Sequence, residues 1–190
     1  MIGLETTMSK RSTFHPLRLL PDHPFPPYAY VPGHTLHPTR DSGGHSYGAE
    51  FQIPEPPNPE DWRACRDYLH GIDLFNHGYY WEAHEAWEGL WIACGRRGPT
   101  ATYLQALISL AAAGLKARSG SARGMRANAD KAVRLFKSVT SHLGPDRTRY
   151  MGLDIYALAD FATAISKMPQ ATGTAGNENL PAFDLLLWPD

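Results

Sequence analysis

Residues 81–91 read WEAHEAWEGLW: His84 and the acids Glu82, Glu85 and Glu88 stand among Trp81, Trp87 and Trp91. On a helix, at about 100° per residue, Trp91, Tyr80, Glu88, Trp81 and Trp87 all fall within roughly 60° of His84. His84 and Glu88 then share the centre of an aromatic face, one turn apart. Glu85 lies on its margin, while Glu82, Ala86 and Gly89 point away, with Glu82 in solvent. Either that face is core and its polar groups are satisfied there, or the aromatics line a site whose chemistry uses them.

Outward from this stretch the chain keeps helical periodicity. Upstream, Asn58-Pro59-Glu60-Asp61 is a start signal: a cap residue, proline in the first turn, then acids facing the positive end of the helix dipole. Trp62, Cys65, Leu69 and Ile72 follow at three- and four-residue spacing, and Gly78 offers a stop. The motif helix spans about 79–93. A third helix over about 100–118 is apolar on nearly every face and is expected at the centre. A fourth over about 121–143 alternates Met125, Ala129, Ala132, Phe136, Val139 and Leu143 against a basic, solvated face. A fifth starts at Asp154. These signals predict an all-α fold, a compact bundle of about five helices over residues 58–168.

Both ends read differently. Residues 14–58 hold ten of the 16 prolines and five of the nine histidines, with no helical period, so residues 1–57 are expected to form an extended Pro/His-rich arm. Phe25, Tyr28, Tyr30, Val31 and Phe51 suit an arm packed on the domain better than a disordered tail. Residues 169–190 read as a Gly/Thr/Asn-rich loop followed by a docked segment from Leu180 to Trp188. Met8 offers a second start, and no apolar leader follows Lys10 and Arg11. With 190 residues there is room for one ordinary domain.

The net charge of -1 argues against capture of nucleic acid or an anionic membrane. No apolar run reaches the roughly 18 residues that a bilayer demands. Cys65 and Cys94 form no CxxC and are expected as free thiols, in keeping with a cytoplasmic protein.

A carboxylate buried without partners costs several kcal/mol, so Glu88 needs a hydrogen-bonded partner, a proton or a cation. His84, at i, i+4, is in reach of it. Two such side chains also fit one metal ion, although the spacing matches neither HExxH nor the Glu-x-x-His of di-iron bundles. A metal needs at least a third protein ligand, which the motif helix is not expected to supply. The arm carries His37 beside Pro38 and His45 beside Gly44, and either could complete a mixed His/carboxylate set. Gln105, in the most apolar helix, must find partners for its amide and could reach the same cluster.

The run FNHGYYWEAHEAWEGLW, with YLQALISLAAAGLKARSGSARG after it, resembles the domain-of-unknown-function family 309. That family's hallmark, His-x-x-x-Glu-x-x-Trp, is matched by His84, Glu88 and Trp91. Phe75, Gly78, Tyr79, Gln105 and Gly124 also look like the family, and the resemblance covers roughly residues 60–143. PPYAYVPGHTLHPTRDSGGHSYG is similar to an N-terminal extension of some members. The resemblance implies a compact helical fold and a metal-binding motif, and no particular reaction.

The expected centre is therefore a partly buried pocket at His84, Glu85 and Glu88, walled by Tyr80, Trp87 and Trp91. In one reading it carries out divalent-metal-assisted chemistry on a small-molecule substrate. His84 and Glu88 are then ligands, His37 or His45 a third, and Glu85 the general base. In the other the cluster only sets packing, and the chain is a non-catalytic interaction module. Neither reading involves nucleic acid or a membrane, and the aromatics of the arm leave a homodimer open.

Overall fold

The computed structural model describes residues 16–144, 146–171 and 181–190. The second start at Met8, Leu180 and most of the 169–179 loop lie outside the described residues. Helices α1 (Arg66–Asn76), α2 (Tyr80–Ala93), α3 (Gly98–Arg118), α4 (Ala122–Leu143) and α5 (Ile155–Ser166) follow one another. Each packs against the next in sequence, α4 against α5 included, although a short hairpin lies between those two along the chain. As its composition requires, α3 is central: Leu104, Leu107, Leu110 and Ala111 are wholly buried between α2 and α4.

The expected start signal works, but it starts something shorter. The Asn58 side chain accepts the Glu60 N–H at 3.1 Å and opens a 3₁₀ turn, Pro59–Ala64. The chain extends at Cys65 before α1 begins. This break corrects the single helix expected through Cys65. It seats Trp62, 8% exposed, edge-on to Tyr68 and against Gly152, where a Cβ would come within 2.5 Å of the indole. Gly152 belongs to a feature that the helical signals did not predict. Strands β1 (Arg149–Tyr150) and β2 (Leu153–Asp154) pair antiparallel around Met151 and Gly152. Both turn residues have positive φ, as a two-residue hairpin of the primed type demands.

The arm lies on the bundle, and buried carboxylates hold it. Asp73, fully buried on α1, accepts the Leu19 and Leu20 N–H groups at 2.7 and 2.8 Å. Glu82 on α2 accepts the Tyr30 N–H at 2.8 Å. Ala29 and Val31 are buried beside that bond. A segment without its own ladder must place its N–H groups somewhere, and these two side chains receive three of them. The far end docks in the same manner: Asn76 exchanges two hydrogen bonds with the backbone of Leu187, and the Tyr80 hydroxyl accepts the Ala182 N–H. Among the described residues, no helix is long and apolar enough to cross a membrane. Cys65 and Cys94 are free and half-buried.

Candidate metal centre on helix α2

Helix α2 is covered on two sides, by α1 and α3 and by the arm. Tyr80, Ala83, Trp87 and Leu90 face α1 and α3 and are buried. The opposite side, expected in solvent, lies under the arm. Glu82 is only 5% exposed, and Pro54 sits over Gly89, 3.4 Å from where a Cβ would stand. Solvated Glu82 is thus corrected. Burial pushes its carboxyl above the usual range, while the Tyr30 N–H and His45 oppose the shift.

Between the two covered sides runs the strip that carries His84, Glu85 and Glu88. One ligand atom from each lies within 4.8 Å of the others, which makes them a trio able to hold a metal ion. Glu85 thus stands, on α2 itself, where a third donor was expected only from the arm. Glu88 stands four residues from His84 and three from Glu85, so it neighbours both on the helix surface. His84 Nε2 is 3.7 Å from Glu88 Oε2, too long for a hydrogen bond, and their side chains are 30% and 39% exposed. The trio is open to solvent.

Its electrostatics favour a ligand. Burial lowers the His84 pKa, opposed by Glu88 and by the Ile108 carbonyl of α3, and the Lys131 charge adds to the lowering. A neutral imidazole keeps the lone pair that a metal needs. Burial, followed by the neighbouring charges of Glu88 and Glu82, raises Glu85 to about 7. Two carboxylates thus stand beside a histidine whose protonation is disfavoured, with the Lys131 charge near enough to act on it.

The arm histidines are placed elsewhere. His45 Nε2 lies 3.2 Å from Glu82 Oε1, its Nδ1 2.8 Å from Ser46 Oγ, and its N–H donates to the Tyr28 hydroxyl. His37 packs its ring between Tyr30 and Trp81, at 4.9 and 5.8 Å. Neither belongs to the trio. Their work is to fasten the arm around Trp81 and Glu82. The expected walls are corrected as well. Tyr80 and Trp87 are core residues, 1% and 0% exposed, and support the helix from behind. Trp91 is half-buried and carries the Arg96 guanidinium over its ring at 5.3 Å. Gln105 is half-buried on α3, one turn before Ile108. The residues that sequence reasoning missed are Glu82 and Asp73. An acid flanked by Ile72 and Leu74 was the available signal for Asp73, and only the arm reveals Glu82.

No curated protein and no solved structure matches the chain. A family match covers residues 68–128, from the first turn of α1 to the first turns of α4, and so contains the whole trio. Over those residues the chain is similar to the family described as Domain of unknown function (DUF309).

Proposed function

We propose that His84, Glu85 and Glu88 hold a divalent cation and that the protein uses it on a small molecule. The observation that carries this reading is the open trio. A buried packing pair would be closed and hydrogen-bonded, whereas His84 and Glu88 stand 3.7 Å apart and face solvent. A set of one imidazole and two carboxylates suits Zn, Mn, Fe, Ni or Cu, and three protein donors leave positions free for water or substrate. When bound, such an ion polarises a substrate oxygen or acidifies water. The chain's own residues do the rest. His84 presents a neutral nitrogen, Glu88 a carboxylate, and Glu85 a carboxyl whose proton leaves near neutral pH, as a third ligand or a general base requires.

The test is elemental mass spectrometry on protein purified without a polyhistidine tag. Near-stoichiometric metal in the wild type, lost in His84→Ala and in Glu88→Ala, is the expected result. Metal content unchanged by His84→Ala would sink the assignment. In the alternative reading as an interaction module, the same variants lower the melting temperature and there is no metal to lose.

A second prediction follows from Glu85 in the metal-free protein. Its folded pKa of about 7 lies above the ordinary 4.5, so the folded chain binds this proton more tightly than the unfolded chain. That contribution to stability is complete below the ordinary value and is lost as pH rises through 7. Thermal melts in chelator should therefore show wild type losing stability relative to Glu85→Gln between about pH 4.5 and 7. Saturating divalent cation should abolish the difference in slope. A pH-independent gap between the two proteins would place Glu85 in an ordinary solvated setting.

A further inference from the structure

Beside the trio, the arm and α2 enclose a cleft of about 310 Å³, near the lower end of the usual range for small-molecule sites. Its charged lining comes from three separate elements: Glu50 of the arm, Asp67 of α1 and Glu85 of α2. Among the described residues, no lysine or arginine lines it. Its apolar lining includes two aromatic rings, Trp81 and Phe51, with Pro54. Trp81 is held from behind by the rings of Tyr30, His37 and His45. Phe51, which also lines the cleft, is 62% exposed among the described residues.

These two features independently select the same chemistry. Carboxylates without a paired cation accept charge-assisted hydrogen bonds from an ammonium and repel an anion. An indole or phenyl ring binds the hydrocarbon part of a ligand and attracts a cation over its face. We propose that this cleft binds an organic amine, an ammonium on an aryl or alkyl body, as the substrate of the adjoining centre. The ammonium points to Glu50 and Asp67, and the body lies against Trp81 and Phe51. Binding of the amine shares only Glu85 with the proposed metal centre, whereas its role as substrate rests on that reading. The acidic lining comes from three elements and the hydrophobic wall from two, so the cleft exists only because the arm folds over α2.

Three probes with one skeleton separate charge from shape: phenethylamine, 2-phenylethanol and phenylacetate. Titration of each into the full chain by NMR should show the amine binding at least tenfold tighter than the alcohol, and phenylacetate not at all. Glu50→Gln and Asp67→Asn alter exposed side chains and should each weaken the amine several-fold without affecting the alcohol. Trp81→Ala should weaken amine and alcohol together. Equal affinity for amine and alcohol, or amine affinity unchanged in both carboxamide variants, would overturn the proposal. Metal content measured on the same samples keeps the two readings apart. Metal bound without amine selectivity defeats the cleft alone, and amine selectivity without metal defeats the metal centre alone.

Discussion

Replacing Trp87 by alanine is expected to lower the unfolding free energy by about 3–5 kcal/mol, the range for removing a wholly buried tryptophan. For a chain of this size that corresponds to roughly 6–20 °C in melting temperature. The side chain is completely enclosed, 6.1 Å from the Phe75 ring, and its indole N–H donates to the Tyr68 carbonyl at 3.3 Å. Alanine thus leaves a large void and removes the indole's hydrogen bond, while the Tyr68 carbonyl keeps its place in the α1 ladder. The fit also explains Gly71. A Cβ there would lie 2.3 Å from the indole Nε1, so Gly71→Ala forces the ring or the helix to move and costs about 1–3 kcal/mol. In the Trp87→Ala background that cost should disappear, a coupling that denaturant melts of the four proteins would measure. Additive effects would show that Gly71 is not there for Trp87. Metal content in Trp87→Ala, assayed well below its melting temperature, should stay at the wild-type level, because Trp87 supports α2 from the core side.

Asp73→Ala is expected to release the beginning of the arm. Its two carboxylate oxygens each take one backbone N–H, from Leu19 and Leu20, and Arg18 Nε stands 3.8 Å from one of them. Hydrogen bonds to a charged acceptor contribute about 1.5–3 kcal/mol each, and without Asp73 the two N–H groups must remain buried and unpaired or return to water. The second outcome is cheaper, since this segment has no ladder of its own. The expected loss is therefore about 2–4 kcal/mol in total, less than the two bonds summed, because detachment rescues the donors. Hydrogen exchange would show it: the amides of Leu19 and Leu20 should lose protection, while those in the middle of α3 remain slow. Protection at Leu19 equal to wild type would mean that packing of the arm, and not Asp73, holds it. Release that spreads as far as Tyr30 would place Glu82 under the same control.

The helices were legible because their signals are local. Asn58 and Pro59, Gly78 with its φ of 80°, and the four-and-three spacing from Met125 to Val139 act within a turn or two of themselves. His84 and Glu88 were legible as a pair for the same reason, since residues four apart on a helix meet whatever surrounds them, whereas a third ligand was expected from the arm. Local signals misled where a distant residue decided the outcome. The periodicity through Cys65 promised one helix, but Trp62 is drawn under Gly152, some ninety positions away, and the chain breaks there. The wheel placed Glu82 in solvent because it could not show that Tyr30 and His45 would cover it.

By itself, then, the sequence determined the five helices, the approximate ends of all but the first, the central place of α3 and the neighbourhood of His84 and Glu88 across one turn. The tertiary structure decided what each face of α2 meets. It turned Tyr80 and Trp87 inward, sent His37 and His45 to fasten the arm and not to the trio, and made a cleft where the arm crosses Trp81. The reason is physical. Helix formation and spacing depend on neighbours within about one turn. The destination of a flexible, proline-rich arm depends on which buried acceptors, here Asp73 and Glu82, can satisfy its backbone, and those lie more than fifty residues away along the chain.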